Sequence, residues 1–596
     1  MSYLFAVSLG PVQGFIQAAR KTRDLWYGSE MLSEMSREVA KMLRDRGAEL
    51  IFPSPQALEM DHSGAQPTGS RQPAIANKIL VEVSTNPQPL AEAVGQVVSE
   101  FLDKQRNAAV AKAKGHLEGV LKEEPMGSQV AAFPEVYCAW WPMNGDYECA
   151  RLEVDRLLAG RKALRDFAPN NGIAGRPKSS LDGALESVTY DTSKFDPVRL
   201  RAIGLRPGEE LDGVSLIKRV NAGERFVSVS RVAVDPFVRH LKENKPDVLN
   251  ALCDSAQTLT GTDWVQRFKA EGRLKHYDAF PYDTQLFYGP PTKLEASEAP
   301  ELAPQAENFY KIASGAGSPP LYYAVLQGDG DRMGKVLGSL GVKEKHQEFS
   351  SKLVDFASAA ADIVANHHGA LVYSGGDDVL AFLPLDQALE CADELQREFR
   401  RVLSAFEGAT FTCGIAICHY SEHLQNALRW ARDAERAGKK VRNAIGIHLH
   451  TRTAGEEKVE VVDEWGEDPA VQNAEGARKH GATVSRLLEW VNLLREDRIP
   501  DGAIFQLRAL HREFRDSGVT EVEVLQKEAM RIIGRKRAEK GTKPLDEEDK
   551  KRIENSMFSQ PIGDLNAALD SVDRFVNEMI IARHIARAKD VVEKGA

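Results

Sequence analysis

Cysteine is scarce in this chain: six in 596 residues, at positions 138, 149, 253, 391, 413 and 418. No two are spaced as Cys-x-x-Cys, so a structural zinc knuckle is not expected. Few thiols without a pattern fit a reducing compartment, and a cytoplasmic location is expected. No run of eighteen apolar residues occurs, so no transmembrane helix is expected and no membrane partner. The opening residues, 1–10, lack a basic segment and a cleavage site and do not read as a signal peptide. An excess of positive charge is missing too. Lys and Arg number 77 against 87 Asp and Glu, a net charge of −10. That argues against a chain that coats nucleic acid with its whole surface. Local basic stretches remain at residues 20–23, 161–165 and 531–540, and each reads equally as a solvated helix face. No internal repeat is visible.

What is present is the composition of a globular protein, 42% hydrophobic and 28% charged, long enough for three or four domains. The most informative segment is residues 370–384, where two short apolar runs flank Gly375-Gly376-Asp377-Asp378. Strand, Gly-Gly turn, strand is a hairpin signal. Two carboxylates at its tip repel each other unless a cation lies close, and hard oxygen donors suit Mg2+. A second acidic cluster, Gly328-Asp329-Gly330-Asp331, follows the apolar run 321–326. A strand ending in an acid beside an acidic hairpin is the arrangement of a palm that holds two metals for phosphoryl transfer.

The spacing predicts a strand over 321–327, a helix over 344–367, the hairpin, a helix over 386–406, a strand over 411–418, a helix over 424–439 and a strand over 443–450. The core order, β-α-β-β-α-β, is ferredoxin-like and makes Asp329 and Asp377 neighbours. Residues 1–215 offer strands at 4–9, 79–83 and 136–141 and long helices over 11–46 and 88–122. That is a second palm-like domain without acids. Residues 216–292 read as a helical domain, 293–320 as a linker, 321–452 as the acidic palm and 453–596 as a C-terminal helical domain, with 535–552 a loop. The fold class is α+β, multidomain: two ferredoxin-like palms plus helical domains. His419 and His423 read as structural, Trp26 and Tyr27 as core, and Cys413 and Cys418 as small apolar residues in a strand.

Asp329-Gly330-Asp331, the Gly-Gly-Asp-Asp tetrad, and the stretches 414–420 and 434–443 resemble the palm of the Cas-ten family, the large subunits of type III CRISPR effector complexes. Residues 8–16 and 19–29 resemble the opening of its Cmr-type (III-B) form after the nuclease domain, as do 157–167, 177–183 and 213–219. The likeness runs from residue 3 to about 451 and is weakest in the C-terminal 140 or so residues.

The resemblance implies an ATP-using nucleotidyl transferase, in which a 3′-hydroxyl attacks an α-phosphate and pyrophosphate leaves. It implies that Asp329 and Asp377 hold Mg2+ or Mn2+, with the Gly330 carbonyl as a further ligand and Asp378 as ligand or orienter of the nucleophile. Gly375 and Gly376 would let the backbone approach a base or ribose, and Lys439 or Lys440 would neutralise the triphosphate. Asp331 matches a family acidic position. Residues 10–29 would contribute to an acceptor nucleotide pocket between the two palms. The implied product is a cyclic oligoadenylate, or an adenylate of another acceptor such as S-adenosylmethionine. The implied partners are guide RNA, target RNA and the other type III-B subunits. The chain has no His-Asp dipeptide and the likeness starts at residue 3, so DNA cleavage by an HD-type nuclease domain is not expected. Two rival readings are a scaffold with an inert palm, which metal-dependent ATP binding would discriminate, and a free-standing diguanylate-type cyclase using GTP.

Overall fold

The computed structural model describes residues 2–59, 75–164, 175–181, 183–189, 191–262, 264–292, 299–452, 458–466, 482–517, 521–534, 544–558 and 564–595. Two antiparallel-cored sheets organise it. The first holds β1 (Tyr3–Gly10), β2 (Glu49–Phe52), β3 (Lys78–Val83) and β4 (Glu135–Pro142) in the order β2-β3-β1-β4. The second holds β5 (Tyr322–Asp331), β6 (Ala370–Ser374), β7 (Val379–Pro384), β8 (Thr410–His419), β9 (Ala444–His450) and β10 (Val459–Glu464) in the order β10-β9-β8-β5-β7-β6. Each sheet has the ferredoxin-like interleaving, with the first strand central and paired antiparallel on both sides. The two palms read from the sequence are therefore both present.

Both faces of the second sheet are buried. Ala324, Leu326, Ala381, Leu383, Phe411 and Ile415 point into a core shared with the helices Lys343–Asn366 and Ala388–Val402. The alternate residues Tyr323, Val325, Leu380, Phe382, Ala416 and Cys418 join the core of the first palm. A strand covered on both sides needs apolar residues at every position, which is why β7 reads Val-Leu-Ala-Phe-Leu-Pro without alternation. Trp26 and Tyr27 lie in that shared core, and Cys413 and Cys418 are buried.

Several expected boundaries shift. The helix expected over 11–46 is two helices, Gln13–Gln17 and Thr22–Asp45. The second starts afresh because Asp24 accepts hydrogen bonds from the Arg20 and Lys21 backbone N–H groups. Asp24 is also gripped by the buried Arg219 at 2.5 and 2.8 Å, which ties this helix to Gly213–Asn221. The helix expected over 88–122 ends at Lys114, and the four-residue strand β2 was too short for a period to show. The stretch read as a linker contains the helix Ala303–Ala316, with Ala306, Phe309, Ala313 and Ala316 buried at helical spacing. Its Pro304 falls in the first turn, where proline is tolerated. Residues 293–298 of that stretch lie outside the described residues. The region after 453 is not wholly helical, since β10 extends the sheet, with Val459 and Val461 buried and the residues between them half-buried. Part of the expected loop over 535–552 is the helix Glu547–Met557, whose acidic first turn suits a helix N-terminus. Residues 535–543 and Arg165 lie outside the described residues. Among the described residues no helix is long and apolar enough to cross a membrane.

Candidate active site

The acids converge because β5 and the β6–β7 hairpin are neighbours. Strand β5 runs on through the Gly-Asp-Gly-Asp cluster rather than stopping before it. In the hairpin, Ser374 pairs with Val379 and leaves the tetrad as a four-residue loop, closed by the Gly375 N–H donating to the Asp378 carbonyl at 3.0 Å. Gly376 takes φ +88°, a left-handed conformation that favours glycine. The approach of β5 to this loop is close. A Cβ placed on Gly330 would lie 3.0 Å from Asp377 Cβ and Oδ2.

The third side of the site is the helix Leu424–Val441. Gly414 and Gly446 allow it to press on the sheet: a Cβ at Gly414 would sit 2.1 Å from the Glu435 nitrogen, and one at Gly446 would sit 2.2 Å from the Ala434 oxygen. Gly414→Ala is therefore expected to cost about 3 kcal/mol of stability and to displace Lys439. Denaturant unfolding with a parallel ATP-binding assay checks both effects.

That close packing delivers Lys439. Its ammonium lies 2.6 Å from Asp329 Oδ2 and 3.2 Å from Asp331 Oδ1, and it donates to the carbonyls of Asp329 and Gly330, each at 2.9 Å. Burial works against its charge, but Asp329 and Asp331 raise its pKa overall. Lys440, about 100° further round the helix, is exposed, so of the two lysines only Lys439 meets the acids.

The four aspartates divide into two kinds. Asp331 is buried, and its carboxylate accepts from Thr410 Oγ1 at 2.8 Å, Thr412 Oγ1 at 2.9 Å and the Asn443 N–H at 2.9 Å. Burial pushes its pKa up, but these donors and Lys439 overcome that and hold it below the ordinary value. An anion so saturated is an anchor for Lys439 rather than an open metal ligand. Asp377 and Asp378 are the opposite case. Asp377 is half-buried, and Asp378 is exposed at the mouth of the site but densely surrounded by protein on its inner side. Burial, then the Asp329 charge, raises Asp377 to about 7. Burial, a hydrogen bond to Asp329 and the Asp377 charge raise Asp378 well above the ordinary value. Two carboxyls held up in this way are short of positive charge. Glu435, raised chiefly by burial, adds a further acid facing Lys439 and Asp329. Nothing in the spacing singled it out, because it reads as one more polar residue on an amphipathic helix.

The donor set fits a hard divalent cation: the carboxylates of Asp329, Asp377 and Asp378 with the Gly330 carbonyl. Among the described residues no three or more His, Cys, Asp or Glu side chains form a ready metal cage. The trio is open to solvent, which suits an ion that keeps waters and substrate phosphates in its shell. The raised carboxyls set the direction of the pH dependence. A group whose folded pKa exceeds its unfolded value binds more protons when folded, so the metal-free protein is expected to lose stability as pH rises from about 4 to about 7. Thermal unfolding in EDTA at pH 5 and pH 8 checks this: Asp377→Asn should flatten the difference. Added Mg2+ should stabilise the unsubstituted chain at pH 8 and not the variant.

The other candidates fall elsewhere. His419 shares a hydrogen bond with Ser421 Oγ, and His423 stands at the N-cap position of the helix Leu424–Val441, both at the far end of β8 from the acids. Arg20, Lys21 and Arg23 do not reach the acids. They line a separate cavity with Tyr420 and Leu424, beyond the opposite end of β8 from Thr410.

Residues 322–446 match the family model for the second palm domain of Cas10/Cmr2. Residues 4–145 match that for the N-terminal region of the CRISPR-associated protein Cmr2. The chain is 35% identical over 158 residues to the CRISPR system Cmr subunit Cmr2 of Pyrococcus furiosus, a match covering 22% of this chain and 18% of that relative. The chain thus matches under a fifth of that relative's length. In fold it is similar to a chain of the type III-B Cmr-beta complex bound to cognate target RNA, at a TM-score of 0.66 and 13% identity, covering 96% of this chain and 83% of the other. The apo state of that complex matches at 0.64, with 13% identity and 96% and 81% coverage.

Proposed function

We propose that this chain, which matches the Cmr2 N-terminal region and the Cas10/Cmr2 second palm, joins adenylates from ATP in its acidic palm inside a type III-B ribonucleoprotein. Guide RNA paired with target RNA would switch it on, and its product would be a second messenger, a cyclic oligoadenylate. The observation that carries this reading is the convergence of Asp329, Asp377 and Asp378 at one end of the sheet, beside a lysine held by four oxygens. Carboxyls kept short of positive charge are arranged for a cation that arrives with substrate.

Each residue then has a task. Asp329, Asp377, Asp378 and the Gly330 carbonyl would hold Mg2+ or Mn2+. When bound, the metal lowers the pKa of the attacking hydroxyl and neutralises charge on the phosphates. Asp331 fixes Lys439 through Thr410, Thr412 and Asn443. Lys439 lies at the edge of the carboxylates, where its ammonium can turn to the triphosphate and the leaving pyrophosphate. Gly375 and Gly376 present bare backbone at the tip, against which a ribose or base can lie. The first palm keeps the fold but places Ser8-Leu9-Gly10-Pro11 where the second has Gly-Asp-Gly-Asp. It therefore acts as acceptor wall and not as a second catalytic centre.

Calorimetric titration of the purified chain with ATP and GTP, with and without Mg2+, tests the reading. Expected is ATP binding that requires the ion, prefers ATP to GTP and disappears in Asp329→Asn. Preference for GTP would favour a diguanylate-type cyclase, and metal-independent or absent binding would favour a scaffold.

A further inference from the structure

We infer a second ligand site, for a phosphate-bearing nucleotide, in a cavity of about 860 Å³ walled by Arg20, Lys21, Arg23 and Arg206. It does not rest on the function proposed above. Tyr420 lies ten residues along β8 and beyond from Thr410, which touches Asp331. At ~3.3 Å per residue that is about 30 Å from the acids.

Three independent features make the cavity an anion site. The first is the four cations themselves. The second is the convergence of three helix N-termini. Thr22 begins the helix Thr22–Asp45, Val229 begins Val229–Asn244 and Leu424 begins Leu424–Val441, and all three residues line the cavity. Such ends bring partial positive charge and first-turn N–H groups, although the Arg231 N–H is already taken by Ser228 Oγ and the helix Thr22–Asp45 carries Asp24 in its first turn. The third is that the facing carboxylates cancel only part of this field. Glu209 is bound to Arg219 at 2.7 Å. Burial raises Asp283, disfavouring its charged form. Glu422, whose Oε1 accepts from Asn426 and from the His423 N–H, is the one lining acid left to oppose the four cations. Crowding shows in the cations: burial, then Arg219, lowers Lys21 to about 7, and the same two causes lower Arg23 to about 10. A bound anion relieves both.

Aromatic rings line the walls as well, and a base would have to stack on the outer face of a pair already formed. Tyr288 and Tyr420 stack with centroids 3.6 Å apart and planes 11° apart, and the Arg23 guanidinium lies 4.3 Å over the Phe226 ring. Aromatic faces beside cations are how single nucleotides and unpaired strands are held. The volume matches a nucleotide, since ligand pockets run roughly 300–1,000 Å³. The ligand is a free adenine nucleotide or the phosphorylated end of a single-stranded RNA, which share this chemistry.

The test uses the full chain in EDTA, so that metal-dependent binding at the palm is silent. Fluorescence anisotropy follows a labelled ATP analogue and a labelled 5′-phosphorylated tetra-adenylate. Expected is salt-sensitive binding of one or both, displaced by pyrophosphate, and the tighter of the two names the source. Arg20→Glu with Arg206→Glu should weaken it at least tenfold, while Asp377→Ala with Asp378→Ala should leave it unchanged. Should the double reversal fail to fold, Arg20→Gln, at an exposed position, should still weaken binding about threefold. Binding in EDTA by neither probe, or undiminished binding in these arginine variants, would overturn the inference.

Discussion

Replacing Asp377 and Asp378 together by alanine is expected to lower ATP turnover by roughly 10³-fold or more while leaving the chain folded. Both side chains sit on a loop tip and neither anchors the sheet: the loop is closed by backbone, the Gly375 N–H to the Asp378 carbonyl. Burial and the Asp329 charge raise Asp377, and burial, Asp329 and Asp377 raise Asp378, so removing the pair removes repulsion. The metal-free variant should therefore unfold at a temperature equal to or above that of the unsubstituted chain at pH 8. Lost turnover with retained or improved stability is the signature of a site strained for function. Lost turnover with lost stability, or lost assembly with partner subunits, would instead make the hairpin structural.

Lys439→Met carries the second large effect, about 10²-fold in turnover, by removing a cation aimed at developing charge. The fold should survive, because Asp331 keeps its bonds from Thr410, Thr412 and the Asn443 N–H. The Lys439 charge also lowers Asp377 and Asp378 against the stronger effects that raise them. Without it both carboxyls rise further, so half-maximal Mg2+ binding should move to higher pH. Calorimetric titrations of Mg2+ across pH 6 to 9 would show that displacement, which a purely structural lysine would not produce.

Much of the palm was legible because its physics is local. The Gly-Gly-Asp-Asp turn between two apolar runs, and the helices 343–366 and 424–441, appear within a few residues of their expected bounds. Periodicity finds such elements when one face is apolar, and turn chemistry finds the hairpin. The N-terminal palm was legible only in part, as three strands and two long helices. Its missing partner β2 is four residues long, and its first helix breaks where Asp24 accepts two backbone bonds, a tertiary choice reinforced by Arg219. The stretch 303–316 misled by composition: its alanines and prolines resemble a tether, yet four of its residues are buried.

In the site, composition could name the acids but not divide their labour. Asp329 and Asp331 have the same spacing pattern, and only the threonines of β8, brought alongside by register, show that Asp331 is already satisfied. Lys439 and Lys440 are likewise equal in sequence, and the tight seat of the helix on Gly414 and Gly446 decides between them. The basic run 20–23 read as a local basic patch or a solvated helix face, within the stretch 10–29 that the family resemblance assigned to an acceptor pocket. Its side chains instead face a cavity completed by residues 200 and 400 positions away, a juxtaposition no local pattern encodes.

The most direct measurement is turnover by the purified ribonucleoprotein with Mg2+, ATP labelled at the α-phosphate, and matching or mismatched target RNA, with products identified by mass. Adenylates joined by phosphodiester bonds, pyrophosphate released in step, and dependence on matching RNA are predicted. A single mass shift carrying S-adenosylmethionine would keep the transferase and change its acceptor. ATP left intact under every condition, with Mg2+ and matching target present, would contradict the account.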